Sequence, residues 1–486
     1  MPPDFVYAQN LPTLGDSSRE DLSPLKERKL GEQIMNSVRQ DPDYLDDGPV
    51  SEYLNQLGNK MLETRPQARG ETSFNFEFFA VRDPVLNAFA FPGGFIGFHS
   101  GLLLAAQTES ELASVMGHEI GHVEQRHIAR MLSNQKTNAL IPLAALALAV
   151  LAARSSPDAA VALATGGQGL AIQKQLNFSR DAEREADRVG FQILNDAGFD
   201  PQGMVTFFGR LQASTRNYAD NVPPFLLSHP LTSERIADIE ARARDQRYRQ
   251  HVDGLPFFLA KARVRVLQDS TTQGLMDANV FFDNQLKSEK EENQIAAKYG
   301  LAFVAMKQMN YQKAQMLLNQ TRQQIAHSAR LKASMQQSSM LPSLLIDILA
   351  GNKQFEKAAT EAEAAMQDLP LSRGIVYQYV DALLNAHKEA KAETFLRDQL
   401  VMYRQDPKLQ SLLAKAYAAQ GKQAAQHIAL AEAYALQGSL QSAIQQLDIA
   451  RRSPDAQYYD EAIIDARERD LKQKRKEEMD DEKKRH

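Results

Sequence analysis

The sequence predicts a mainly α protein in two parts: an α+β domain with a small antiparallel sheet, followed by an α-solenoid of paired helices. Three observations carry this. Apolar residues recur at helical spacing along most of the chain. Residues 74–98 switch to strand-like alternation. Beyond about residue 255 a 34-residue pattern recurs. A chain of 486 residues also exceeds what one hydrophobic core holds. With 43% hydrophobic and 24% charged residues the composition is that of a folded protein. The net charge of −5 argues against nucleic acid as a partner. No cysteine is present, which excludes thiolate catalysis, disulfides and cysteine clusters. Any transition-metal site must use histidine and carboxylate.

The opening, Met1-Pro-Pro-Asp-Phe-Val, has neither a basic n-region nor an apolar h-region, so no signal peptide is expected in this numbering. Leu30, Ile34, Met35 and Val38 predict a helix over 26–39, and Val50, Tyr53, Leu54, Leu57, Met61 and Leu62 a second over 50–63. Phe74 to Val81 alternates as a strand, and Ala88 to Phe98 forms another β-rich run. The Pro92-Gly93-Gly94 break within it suits an edge strand or a bulge. Thr108-Glu-Ser-Glu111 fits a capping box and starts a helix expected to reach about Leu132. Two uncharged runs, Thr137–Ala153 and Ala159–Gln173, are short against the ~20 residues of a membrane span. We read 137–173 as an apolar helical hairpin that packs on its own domain or contacts a membrane surface or an apolar client, with a true span as the least favoured alternative. A helix from Ser179 to Asn195 follows, ended by Gly198.

The repeat is visible in Gly351-Asn-Lys-Gln-Phe-Glu-Lys-Ala358 and Asn385-Ala-His-Lys-Glu-Ala-Lys-Ala392, 34 residues apart. Related turns stand at Met309–Ala314, Tyr417–Ala425 and Gly438–Ala443. A helix–turn–helix unit of this length resembles the tetratricopeptide repeat. The expected organisation is a catalytic domain at 1–255, repeats at 256–470 and a mixed-charge tail at 471–486.

The chemistry centres on His118-Glu119-Ile120-Gly121-His122 within the helix that begins near Thr108. Residues four apart share a helical face, so both imidazoles can meet one metal ion while Glu119 projects toward a further coordination position. A hydrolytic zinc site needs a third protein ligand and a place for water. Glu183, in Ser179-Arg-Asp-Ala-Glu183-Arg-Glu-Ala-Asp187, is the best candidate, and Asp187 shares its face and suits the back of a ligand histidine. Glu185 reads as solvated; Glu111, Glu124 and His127 read as structural or exposed. Such a metal lowers the pKa of bound water toward ~7, and Glu119 accepts the proton and passes it to the leaving amine. His229, just before Pro230, which is expected to start a helix bearing Arg235, is placed either to stabilise the oxyanion or to fill the fourth metal position.

These segments, with Asn87-Ala-Phe-Ala-Phe-Pro-Gly-Gly and Ser228-His-Pro, look like the gluzincin peptidase family of the heat-shock protease HtpX and the prenyl-protein endopeptidases. The helical half makes the chain similar to periplasmic members that act as proteases and chaperones in outer-membrane assembly. The resemblance implies a zincin-type catalytic domain with one Zn2+ on His118, His122 and Glu183. Glu119 would be the base and Asp187 would sit behind a ligand. It further implies that Phe91 to Phe98 is the edge strand on which substrate pairs, with Phe91, Gly93, Gly94, Phe95 and Ile96 as binding residues. Implied partners are misassembled outer-membrane proteins and the β-barrel assembly machinery, the latter through the repeats. The competing expectation is a chaperone or adaptor with a latent metal site; intact Glu119 argues against a purely structural site.

Overall fold

The computed structural model describes residues 22–64, 75–134, 179–217, 224–246 and 250–483. The apolar stretch 137–173 lies outside the described residues. Helix α1 (Pro24–Val38) starts with Pro24 in its first turn and with the Ser23 hydroxyl accepting from the Lys26 N–H. Its stripe of Leu30, Ile34, Met35 and Val38 is buried, as the spacing requires. Helix α2 (Gly48–Glu63) is capped by Asp47, whose carboxylate accepts from the Val50 N–H at 3.1 Å.

Strands β1 (Glu77–Val81), β2 (Ala88–Phe91) and β3 (Phe95–His99) form one sheet in the order β1-β3-β2. β1 pairs with β3 in parallel and β2 pairs with β3 antiparallel. The sheet is therefore mixed rather than antiparallel, and the expected edge strand is only partly one. Gly93 and Gly94 both take positive φ, 81° and 93°, and fold β3 tightly back along β2. The turn rests on α1 so closely that a Cβ on Gly93 would lie 2.8 Å from the Arg28 Cα. Once folded back, β3 offers its far side to β1 and becomes the central strand. Phe95 and Ile96 are fully buried in it, with the Arg28 guanidinium 4.3 Å above the Phe95 ring. Of the two edge strands, β1 is covered on its outer side by residues 43–45 and the Asn55 amide, so the open edge is β2, which carries Phe91.

After α3 (Ser100–Ala105), helix α4 (Glu109–Glu124) begins as expected, the Thr108 hydroxyl accepting from the Glu111 N–H. It does not continue to Leu132. Arg126 takes φ 52° and is held there by Glu27 at 3.1 Å and by the Leu22 carbonyl at 2.6 Å. A separate helix, α5 (His127–Asn134), starts directly after the break. Helices α6 (Arg180–Asp196), α7 (Gln202–Asn217), α8 (Pro224–Ser228) and α9 (Ser233–Arg244) complete this part. Helix α9 begins three residues after Pro230, with the Thr232 hydroxyl as its cap. Helices α4 and α6 cross almost backbone to backbone. A Cβ on Gly190 would stand 2.7 Å from the Gly117 carbonyl carbon and the His118 nitrogen, so any side chain there forces the two helices apart.

From α10 (Leu255–Gln268) the chain is a succession of helices. α11 (Thr272–Gln285) and α12 (Glu291–Lys307) precede α13 (Tyr311–Ala326) and the short α14 (Ala329–Ser334). The repeating hairpins are α15 (Met340–Gly351) with α16 (Phe355–Asp368), and α17 (Arg373–Asn385) with α18 (Glu389–Met402). They continue as α19 (Pro407–Ala419) with α20 (Gln423–Leu436), then α21 (Leu440–Arg451) and α22 (Tyr458–Lys483). Each of the five turns singled out in the sequence holds one residue at positive φ: Met309, Lys353, His387, Gly421 and Gly438. Lys353, His387 and Gly421 stand at successive 34-residue intervals, so the sequence period is a period of backbone conformation. Small Ala358, Ala362 and Ala392 are buried where the paired helices meet.

Helix α2 joins the two halves. The Asp47 that caps it also receives the buried Arg263 of α10 at 2.7 Å, and Arg263 reaches the Tyr299 hydroxyl at 3.0 Å. Glu52, one turn on, accepts from the Ser372 hydroxyl at 2.7 Å and the Gly374 N–H at 3.2 Å.

Candidate metal centre

Helix α4 places His118 and His122 on the face turned to α6, and α6 returns Glu183 and Asp187 to them. The loop between α8 and α9 brings His229 into the same space. Among the described residues His118, His122, Glu183 and His229 form a buried cluster whose ligand atoms all lie within 4.8 Å of one another. His118 Nε2 is 3.1 Å from His122 Nε2 and 3.3 Å from His229 Nδ1. Glu183 Oε1 is 3.0 Å from His229 Nδ1 and 3.4 Å from His122 Nε2. Phe225 stacks on His229 at 4.8 Å, and Phe208 stands edge-on to His118 at 6.0 Å, so aromatic walls line the cluster.

The electrostatics are those of a cation site. Glu183 and Asp187 are buried against the Arg235 guanidinium, and Glu119 is buried with the His229 imidazole nearby. With the imidazoles neutral and the three carboxylates ionised, as they would be around a metal, one guanidinium leaves two negative charges, which a divalent ion would neutralise. Both Glu119 oxygens are buried and accept no hydrogen bond, and the nearest imidazole nitrogen, His229 Nε2, is 3.6 Å away. Burial pushes the Glu119 carboxyl above its ordinary range. Burial also works against charge on Glu183, but His229, His122 and a hydrogen bond from His118 hold its carboxyl well below the usual value. For His118 burial is overcome by hydrogen bonds to Asp187 and Glu183, which carry its pKa to about 9, so a metal arriving at neutral pH displaces a proton. The residues present fit a metal ion.

The supports behind the cluster are as organised as the cluster. His118 Nδ1 stands 3.0 Å from Asp187 Oδ1. Arg235 grips Asp187 in a fork, Nε to Oδ2 at 2.6 Å and Nη2 to Oδ1 at 2.7 Å. The same guanidinium reaches Glu183 Oε2 at 2.7 Å and donates to the Pro230 carbonyl at 2.8 Å. It thus ties a candidate ligand, its neighbour and the His229 loop to one point.

The profile described as "Peptidase family M48" matches residues 50–243. The "Beta-barrel assembly-enhancing protease" of Escherichia coli strain K12 is 32% identical over 466 residues, covering 96% of this chain and 92% of that protein. The chain belongs to peptidase family M48. A second relative of that name, from Yersinia pestis, is 31% identical over 461 residues, 94% of this chain and 90% of its own. The "Mitochondrial metalloendopeptidase OMA1" of Arabidopsis thaliana shares 27% over 234 residues, 48% of this chain and 44% of its own. An M48 chain with these relatives is a metalloendopeptidase, and the cluster is its candidate metal site.

Of the residues expected from the sequence, His118, Glu119, His122, Glu183, Asp187 and His229 converge on this one buried cluster. Gly93, Gly94, Phe95 and Ile96 do not. The two glycines form the turn on α1, and the two side chains are buried in the central strand, so they cannot pair with an incoming chain. Glu185 and His127 are not bystanders: His127 is buried and its Nε2 lies 3.1 Å from Glu185 Oε2, which Arg130 also holds at 3.1 Å. Their spacing carried no signal, because residues 122 and 127 share no helical face until the helix breaks. Glu111 is buried as a structural anchor, gripped by Arg210 and hydrogen-bonded to Thr206. No described helix is long and apolar enough to cross a membrane.

Proposed function

We propose that this chain is a zinc-dependent endopeptidase of the periplasm that removes or assists stalled outer-membrane β-barrel proteins. The observation that carries the hydrolytic reading is Glu119, a buried carboxylate with unsatisfied oxygens beside a set of nitrogen and carboxylate ligands. His118, His122 and Glu183 are the ligands in this reading, and two imidazoles with one carboxylate favour zinc. Bound zinc would polarise the scissile carbonyl and acidify the attacking water. Glu119 takes that water's proton and delivers it to the leaving amine; its raised affinity for a proton suits both tasks. Asp187 and Arg235 hold His118 in one tautomer and one orientation.

The substrate pairs, in this account, with the open side of β2, including Phe91, and not with the central strand. The Phe225 N–H lies 3.4 Å from the Leu86 carbonyl, so α8 and the His229 loop stand at the start of that edge. Residues 1–255 make up the peptidase unit, 256–470 tetratricopeptide repeats that recruit clients or the assembly machinery, and 471–486 a charged tail. Recruitment on a linked surface raises the local concentration of substrate at the site. The name and near-complete overlap of the E. coli and Y. pestis relatives, both beta-barrel assembly-enhancing proteases, support the client class.

His229 lies among the ligand atoms, which favours a fourth ligand that keeps the enzyme latent until its loop moves. His229→Ala is expected to speed hydrolysis of casein or of an unfolded outer-membrane protein. The gain is roughly tenfold if the open form of the wild type is about a tenth of the population. Hydrolysis that falls to background, with zinc retained, would contradict latency and make His229 a transition-state donor.

A further inference from the structure

The two imidazoles of helix α4 are supported differently. Behind His118 stands a carboxylate, Asp187, at 3.0 Å. Behind His122 stands another imidazole: His127 Nδ1 is 2.9 Å from His122 Nδ1, and the rings are nearly perpendicular at a centroid distance of 4.9 Å. His127 in turn meets Glu185 Oε2 at 3.1 Å, and the same oxygen receives Arg130 at 3.1 Å. His127 is 3% exposed, so the contact is shielded from water.

We propose that His127, anchored by Glu185, is the positioning residue for His122, fixing which nitrogen faces the metal and the plane of the ring. This rests on the reading of His122 as a ligand. The proton arrangement follows from the geometry. A neutral imidazole carries one N–H. His122 Nε2 points into the cluster, 3.1 Å from His118 Nε2; as the nitrogen that would hold the metal in the reading above it must offer a lone pair, so its proton sits on Nδ1. His122 Nδ1–H then donates to His127 Nδ1, which leaves the proton of His127 on Nε2, aimed at Glu185. Reversing either tautomer sets two N–H groups or two lone pairs against each other. The chain reaches this arrangement through the break at Arg126, whose positive φ, held by Glu27 and Leu22, turns His127 back beneath the helix it follows.

The test measures zinc affinity by competition with a chromophoric chelator and records the visible spectrum of the cobalt(II)-substituted protein. The proteins are wild type, His127→Phe, His127→Asn, Glu185→Ala and His122→Ala. His127→Phe is expected to weaken zinc binding about 10–100-fold, the range for losing such a support, and to shift the cobalt bands. His127→Asn, whose amide oxygen can take the acceptor place of Nδ1, should recover most of the affinity. Glu185→Ala should fall between them. Unchanged affinity and spectrum in His127→Phe, with only a lower melting temperature of the zinc-free protein, overturns the proposal and leaves a packing role. Should that variant not fold, wild-type affinity in Glu185→Ala overturns it. If His122→Ala keeps wild-type affinity, the ligand reading itself fails; if it loses zinc while His127→Phe does not, only the present inference fails.

Discussion

Glu119→Gln is expected to reduce peptide hydrolysis about 10²–10⁴-fold, the contribution of a positioned general base, while the metal stays bound. Glutamine keeps the volume and shape of the side chain, and Glu119 is fully buried in α4, so packing survives the change. The removed property is basicity. Neither Glu119 oxygen accepts a hydrogen bond, so the substitution breaks no bond in the folded protein. The check is the rate of casein cleavage together with the zinc content of the same samples. A variant within tenfold of wild type would deny Glu119 the role of base, and loss of zinc would show it to be a ligand.

Arg235→Ala should produce the largest loss of stability among single changes near the site. Arg235 is 3% exposed and serves Asp187, Glu183 and the Pro230 carbonyl together. Truncation leaves two buried carboxylates without their cation, and breaking a buried pair costs about 3–5 kcal/mol. Asp187 then loses the fork that aims it at His118, so zinc affinity should fall about 10–100-fold as well. Lysine in place of Arg235 keeps the charge but not the planar fork, and should restore only part of either loss. Denaturant unfolding of the metal-free protein gives the stability, and chelator competition the affinity. Stability within 1 kcal/mol of wild type would contradict the role assigned to the guanidinium.

The buried cluster was legible because its members stand at helical intervals. His118 with His122 and Glu183 with Asp187 are each four apart on an unbroken helix, so local sequence states their shared face. The repeat was legible for a similar reason: the 34-residue period marks where the backbone must turn with positive φ. What escaped depends on pairing at a distance. Which strand is the edge follows from β1 docking beside β3, a contact that no alternation pattern contains. His127 joins the site only because Arg126 interrupts the helix, and the cause lies in Glu27 and Leu22, far back in the chain. The grip of Arg235 on Asp187 spans 48 positions and had no local sign.

The most direct test of the account is the zinc content of the purified chain, determined by elemental analysis for wild type and for His118→Ala, His122→Ala and Glu183→Ala. One zinc per wild-type chain, and little or none in each variant, is the predicted result. A wild-type chain that takes up no zinc from a zinc-containing buffer, or variants that keep it, would contradict the assignment of these three residues as the metal ligands.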